Sequence, residues 1–526
     1  MKKTKLFSLV MSACLLAGSV GSLAGCNELI GGEVGGKVGV LKIEAFEGGG
    51  GSTYVQALAD AYNVYNPEVT IDVTCDPLVP ESAPTALEAK SSAADIYMVN
   101  GLNIGSLCEN AEGALEPLND VYAAKPKTNV EQGEKTIEQL INAEILPSMK
   151  YGGDREPYVG NYYATPTGSN PHSLIINKTA MDDIFGEGNW NVPRTSNELI
   201  ELCAAIKAKS PKVNIAGQEE DVYAFMYAGN ALEYWRYMWY PWVAQYDGVD
   251  VYNDALSNRI DGAYNKDAGF SAGKTEALEV LEVVLKRANG YCHPDSMSNK
   301  HTTVQKYFMQ GKAAMMVCGD WIESETETEY TPDLMMVRSP IISALGEKLG
   351  ISEAQLRETI SAIDEGKTSA DGVDAADFAA VEEARSIVFT LANTQIAVIP
   401  CTSVNKDIAK DFLRFLYTKE AFDIYAKESG GARLPISDYK LEDSLVETMT
   451  MFGKSVKELA EGKTQYIYTG SNDPIRYRVG LAEFVRSEKP ELSLAKKSNP
   501  LTAAEIIAAE KEIVYRNWDS YMNQVS

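Results

Sequence analysis

Histidine is nearly missing from this sequence, with three residues in 526. His293 and His301 lie close together and His172 stands alone, while none of the eight cysteines belongs to a CxxC pair. The ligand spacings of a zinc site are absent, and neither a metal nor another cofactor is expected. Hydrolase and nucleotide signatures are missing too: no GxSxG elbow, HExxH helix or complete phosphate loop occurs. Positive charge is scarce, 48 Lys and Arg against 74 Asp and Glu, for a net charge of -26. Such acidity argues against nucleic acid or an anionic membrane surface as partner. Beyond the N-terminus no apolar run reaches the roughly 20 residues of a transmembrane helix. What remains has 45% hydrophobic residues and a length too great for one core, which reads as a globular protein of two or more domains.

The N-terminus departs from that description. Lys2, Lys3 and Lys5 precede an apolar stretch, Leu6 to Val20, with the layout of an export signal. Leu23-Ala24-Gly25-Cys26 follows directly. This tetrad resembles the lipobox of bacterial lipoproteins, which implies cleavage between Gly25 and Cys26 and a diacylglycerol thioether on Cys26. Two acyl chains hold a protein on a membrane without a spanning helix. Ordinary signal cleavage beside an accidental cysteine is the competing reading. Residues 1–25 are taken as a signal peptide and the glycine-rich residues 26–37 as a lipidated flexible tether. Cleavage removes three lysines and no carboxylate, so the charge of -26 becomes -29. Of the six other cysteines, Cys203 and Cys318 sit in apolar patterns typical of free core thiols, and mostly free thiols are expected, although an exported protein could pair some of them.

From Val38 onward strand and helix patterns alternate. Val38–Phe46 reads as a strand, Thr53–Asn66 as a helix capped by Ser52, and Val69–Val73 as the next strand, the unit from which parallel sheets are built. The glycines from Gly48 to Gly51 lack phosphate-loop partners and read as a turn that lets a ligand or a closing lobe approach the backbone. A helix at Ala86–Ala93 leads into a buried strand, Asp95–Asn100; Ser173–Lys178 is another strand, and residues 128–150 look helical. Residues 341–392 look like an inserted helical hairpin rather than part of a sheet, and Thr394–Ile399 returns to strand. Later helices are expected at Lys406–Tyr417, Lys419–Lys427, Arg476–Val485 and Ala503–Tyr521.

Two stretches carry the strongest functional signal. In Thr302–Trp321 a helix ends at Gly311, a short apolar strand (Ala313–Cys318) follows, and the strand stops at Gly319-Asp320-Trp321. A carboxylate and a large aromatic thus stand at a strand's carboxyl end, where α/β sheets bind ligands. The second stretch, Tyr223–Tyr246, is the densest aromatic cluster, with Trp235, Trp239 and Trp242 on one helical face. A buried core helix and a platform for stacking on sugar faces both fit that pattern.

The segments PEV (Pro67–Val69), AADIYMV (Ala93–Val99) and YYATPTGSNPHSLIINK (Tyr162–Lys178) are followed by VPRTSNEL (Val192–Leu199) and FMQGKAAMMVCGDW (Phe308–Trp321). SVNKDIAKDFLRFL (Ser403–Leu416) and GGARLP (Gly430–Pro435) complete the series. In this order they resemble the extracellular solute-binding proteins of ABC importers, in particular the large carbohydrate-binding family; Ile176, where the family usually has tyrosine, and the 341–392 insertion are departures. The resemblance implies an α/β, two-lobed periplasmic-binding-protein-like fold with multiple hinge crossings and a helical insertion. Lobe 1 would comprise 38–165 and 322–395, and lobe 2 would comprise 166–321 and 396–526, with the chain leaving one lobe for the other at Trp321. By position, the cleft between the lobes would receive Phe46, Glu47, Asn100, Ser169, Asn170, Asp320, Trp321 and Arg433, with the Trp235, Trp239 and Trp242 helix supplying stacking rings. The implied function is capture of a carbohydrate, an oligosaccharide, outside the cell and its delivery by hinge closure to ABC transporter permease subunits. The protein would be a monomer with no catalytic residues, held at the cell membrane through Cys26 alone. A surface glycan-degrading enzyme, and a binding lipoprotein for peptides or for a sensor kinase, are the alternatives.

Overall fold

The computed structural model describes residues 39–48, 52–109, 111, 113–326, 329–469 and 490–523, all within a compact unit spanning Lys37–Ser526. The expected signal peptide, the lipobox with Cys26, the tether and the Arg476–Val485 helix lie outside the described residues.

Two sheets, each with its own core, carry the fold. The first has the strand order Val69–Asp76, Gly39–Phe46, Ile96–Asn100, Gln395–Val398, Thr165–Pro166. Its first three strands are parallel, and Gln395–Val398 runs antiparallel to both neighbours. Burial explains the order. Gly39–Phe46 alternates, with Leu41, Ile43 and Ala45 inward, whereas Ile96–Val99 is apolar on both faces and takes a central place. The helix Thr53–Tyr65 lays Val55, Leu58 and Tyr62 on this sheet and stops before Pro67, which disfavours a helical residue ahead of it. Helix Lys406–Leu416 packs on the same core through Ile408, Phe412 and Phe415.

The second sheet is built on one strand. Pro171–Asn177 has all seven residues buried. Ala313–Cys318 pairs antiparallel with it from Ser173 to Ile176. Leu334–Val337 and Ile387–Thr390 pair with the far and near parts of it, also antiparallel, and Tyr223–Phe225 and Gln465–Ile467 extend the sheet outward. The helix Arg236–Asp247 lies against this sheet, and a long C-terminal helix, Ala503–Met522, closes the lobe. Lys274 joins it to the lobe through an ion pair with Glu510 at 2.5 Å, both side chains 2% exposed.

This arrangement corrects the expected division of the chain. Gln395–Val398 and the helices Lys406–Leu416 and Lys419–Glu428 belong to the first lobe, while the described residues of 322–326 and 329–390 belong to the second. The chain does not change lobes at Trp321: Ile322 is buried in the second lobe, and Leu334–Val337 returns to the same sheet. It crosses instead at 167–170, at 391–394, and at 449–450 before helix Met451–Glu461. Segment 341–392 is not purely a helical insertion. Helices Glu353–Asp364 and Ala375–Ser386 do form a hairpin on the second core, but Ile387–Thr390 enters the sheet. Apolar periodicity specifies a buried face, not which sheet a strand joins, so the sequence left these partners open. Residues 128–150 hold only two single-turn helices, Ile137–Leu140 and Leu146–Met149.

Candidate functional site

A cavity of about 300 Å³ lies between the two sheets, at the low end of the range for small-molecule sites. Each lobe and two of the crossings contribute to it. Phe46 and Asn100 come from the ends of adjacent first-lobe strands, and Gln395 is the cross-strand partner of Asn100. Ser169 and Asn170 come from one crossing and Leu391 from another. The second lobe supplies Tyr234, Tyr237, Asp320, Trp321 and Glu325. Carboxyl ends of strands from both sheets thus meet across one space, the arrangement in which open α/β sheets bind ligands.

Small residues make the aromatic placements possible. A Cβ on Gly319 would stand 2.3 Å from the Trp321 ring, so that ring lies directly over the glycine backbone. Gly48 has the same relation to Phe46, also at 2.3 Å. Trp321 meets His172 edge-on at 4.9 Å between centroids, and Tyr234 at 5.8 Å. Its indole Nε1 is buried on the Tyr234 side of the cavity. His172 is 1% exposed, and neither ring nitrogen has a hydrogen-bond partner. Its Nδ1 lies 3.7 Å from Asp320 Oδ1. Burial pulls the His172 pKa below its ordinary value, an effect that nearby Asp320 partly opposes, so the imidazole is neutral at pH 7.

The polar groups are held in place from behind. Asn170 donates from Nδ2 to Asp320, and its Oδ1 accepts from the Arg433 backbone N–H at 3.1 Å. Ser169 N–H donates to the Arg433 carbonyl at 2.8 Å. Burial, with a lesser contribution from Cys75, pushes the Tyr54 phenol up to about 12. Burial likewise raises Tyr234, Tyr237 and Tyr425, so all four keep their protons and can donate hydrogen bonds. A wider recess of about 620 Å³ adjoins the cavity through Phe46, Gly48, Ser324, Glu325 and Ser429.

Six of the residues read from the sequence therefore line one cavity: Phe46, Asn100, Ser169, Asn170, Asp320 and Trp321. Glu47 lies on the recess instead, where it accepts from the Ser52 hydroxyl at 3.1 Å, and Ser52 makes no helix-capping bond. Arg433 does not reach the cavity. Its guanidinium is buried against Glu461 at 2.9 Å and the Tyr439 carbonyl at 2.8 Å, as a desolvated cation requires. Trp235, Trp239 and Trp242 are also misplaced. All three are at most 1% exposed in the second core, with Trp239 Nε1 bound to Glu491 and Trp242 Nε1 to the Pro340 carbonyl. The neighbouring phenols of the same stretch, Tyr234 and Tyr237, face the cavity. Their polar tips were the available signal, since a stripe that ends in hydroxyls suits a wet face better than an indole stripe among apolar residues. Tyr54, Gln395, Tyr425 and Glu325 were not anticipated.

Two α/β lobes crossed by several segments, with a polar-aromatic cavity between them, define a protein that binds a small solute. A sequence model for the bacterial extracellular solute-binding proteins matches residues 57–448, and the chain belongs to that family. None of the curated proteins matches it by sequence. Solved structures share the fold at low identity. The bacterial solute receptor AcbH, reported with an exclusive preference for β-D-galactopyranose, is similar at 13% identity and a TM-score of 0.57, covering 92% of this chain and 100% of its own. RafE of Streptococcus pneumoniae, solved with raffinose, is 14% identical with a TM-score of 0.56, over 90% of this chain and 100% of its own. A protein studied for xylan utilization by Caldanaerobius polysaccharolyticus is 18% identical with a TM-score of 0.57, over 90% of this chain and 99% of its own.

Proposed function

We propose that the protein captures a carbohydrate outside the cell and delivers it to the permease of an ABC transporter by closing its lobes. It acts while held at the membrane through lipidated Cys26 and performs no chemistry on the sugar. The observation that carries this reading is the composition of the cavity wall. The Trp321, Tyr234, Tyr237 and Phe46 rings offer flat apolar faces, while Asn100, Asn170, Gln395, Ser169 and Asp320 offer amide, hydroxyl and carboxylate partners from both lobes. Sugars present that pairing: CH faces for rings and hydroxyls that bond carboxylates and amides. The enclosed volume suits one or two rings, and the adjoining recess leaves room for further units of an oligosaccharide. The fold shared with AcbH and RafE supports the same reading.

Calorimetric titration against a panel of mono- and oligosaccharides tests it. Saturable binding to one or more sugars, with no product formed on prolonged incubation, is the expected result. Hydrolysis of a bound sugar, or tight binding of peptides alone, would overturn the proposal. Labelling of Cys26 by a radioactive fatty acid, lost in Cys26→Ser, tests the anchor.

A further inference from the structure

The walls of the cavity and its recess are one-sided in charge. Asp320 and Glu325 line the cavity, Glu47, Glu325 and Glu428 the recess, and no Lys, Arg or His lines either among the described residues. Three of these four carboxylates are held by neutral donors: Asn170 for Asp320, Gln305 at 2.6 Å for Glu325, and Ser52 at 3.1 Å for Glu47. Basic groups nearby give little compensation. Arg433 is spent on Glu461, His301 stands 4.0 Å from Glu325, and His172, its pKa lowered by burial, sits behind Asp320 at 3.7 Å. The ring faces of Trp321, Tyr234 and Tyr237 add their own negative quadrupoles.

We propose that the cleft sorts glycans by charge: it accepts sugars whose rings are neutral or carry a protonated amine, and rejects sugars bearing carboxylate, sulfate or phosphate. This rests on the carbohydrate reading of the site. Closure of the lobes expels water and lowers the local dielectric, so an anionic substituent loses its hydration while facing unscreened carboxylates and no cation. Repulsion built into a site is a recognised route to specificity. A hydroxyl meets good acceptors in the same place, and an ammonium meets acceptors, opposite charge and ring faces together.

The test starts from the neutral sugar that binds best in the panel above. At a position where its uronamide retains binding, the isosteric uronate is titrated against the full-length protein, and the 2-amino analogue is titrated in parallel. The uronate is expected to bind at least about tenfold more weakly than the uronamide, a gap that persists at raised salt because the closed cleft is shielded from mobile ions. The amine is expected to bind at least as tightly as the parent. In the double variant Asp320→Asn, Glu325→Gln, the uronate and uronamide are expected to converge to within about threefold. Equal binding of uronate and uronamide by the wild-type protein overturns the charge proposal while leaving the sugar reading intact. Failure of every sugar in the panel overturns both.

Discussion

Trp321→Ala isolates the one tryptophan that borders the cavity. Truncating a tryptophan that stacks on a ligand typically costs about 2 kcal/mol or more, which corresponds to roughly a 30-fold rise in Kd. The ring is only partly buried, against His172, Tyr234 and Tyr237. Its loss is therefore expected to cost about 2 kcal/mol of stability, less than the 3–5 kcal/mol of a fully buried aromatic. Gly319→Ala provides an independent handle, because its Cβ would meet the ring at 2.3 Å and displace it. It should lower affinity by a comparable factor with all six tryptophans still present. The assays are calorimetry for Kd and ligand-induced change of intrinsic fluorescence. Trp235, Trp239 and Trp242 are sealed in the second core, so Trp321→Phe should abolish most of the fluorescence response. If that variant keeps the full response and Trp321→Ala binds within about threefold of wild type, the ligand does not stack on this ring and the reasoning fails.

Trp242→Ala should behave oppositely to Trp321→Ala: it removes a fully buried ring and its bond to the Pro340 carbonyl, at 2.8 Å, costing about 3–5 kcal/mol in urea denaturation. The affinity of the folded fraction should stay unchanged. Lys274→Met leaves the Glu510 carboxylate buried without its partner and should cost about 3–5 kcal/mol, whereas Lys274→Met with Glu510→Leu should recover most of that, as a double-mutant cycle would show. His172 contributes to the pH dependence of stability. Its folded pKa lies below its unfolded value of about 6.5, so the unfolded state binds the extra proton first and stability falls as pH drops below about 6.5. His172→Phe should flatten the slope of the urea midpoint below about pH 6.5 relative to wild type, and an unchanged slope would refute the assignment.

Local patterns gave the elements well where apolar residues marked a face. The Ala313–Cys318 strand and the stripe Val55, Leu58, Tyr62 stand as read. Pairing across long separations was not legible. Leu334–Val337 and Gln395–Val398 are both short, largely apolar four-residue runs, yet one joins the second sheet and the other the first. In the site, residues at strand ends and crossings line the cavity because the topology, not their type, puts them there. Asn100 and Ser169 are of that kind. Side chains whose role depends on a partner distant in sequence were misjudged: Arg433 serves Glu461, and Trp239 serves Glu491. Tyr425 and Gln395 lay beyond reach for the same reason, since their neighbours at the cavity come from helix Thr53–Tyr65 and strand Ile96–Asn100.

The interleaving of the two sheets has a kinetic consequence. The first sheet is complete only when Gln395–Val398 slots between Ile96–Asn100 and Thr165–Pro166, and the Tyr62 hydroxyl meets Asp411 across 349 positions of chain. Closing loops of that size is entropically slow to initiate, and high contact order retards folding. An emerging chain therefore cannot finish its first lobe until most of its length has been made. A polypeptide that must thread a narrow translocation pore gains from that delay, because premature compaction is withheld by topology alone. The same delay leaves the Ile96–Asn100 edge without its partner during synthesis, so this strand is where aggregation would begin if export stalled.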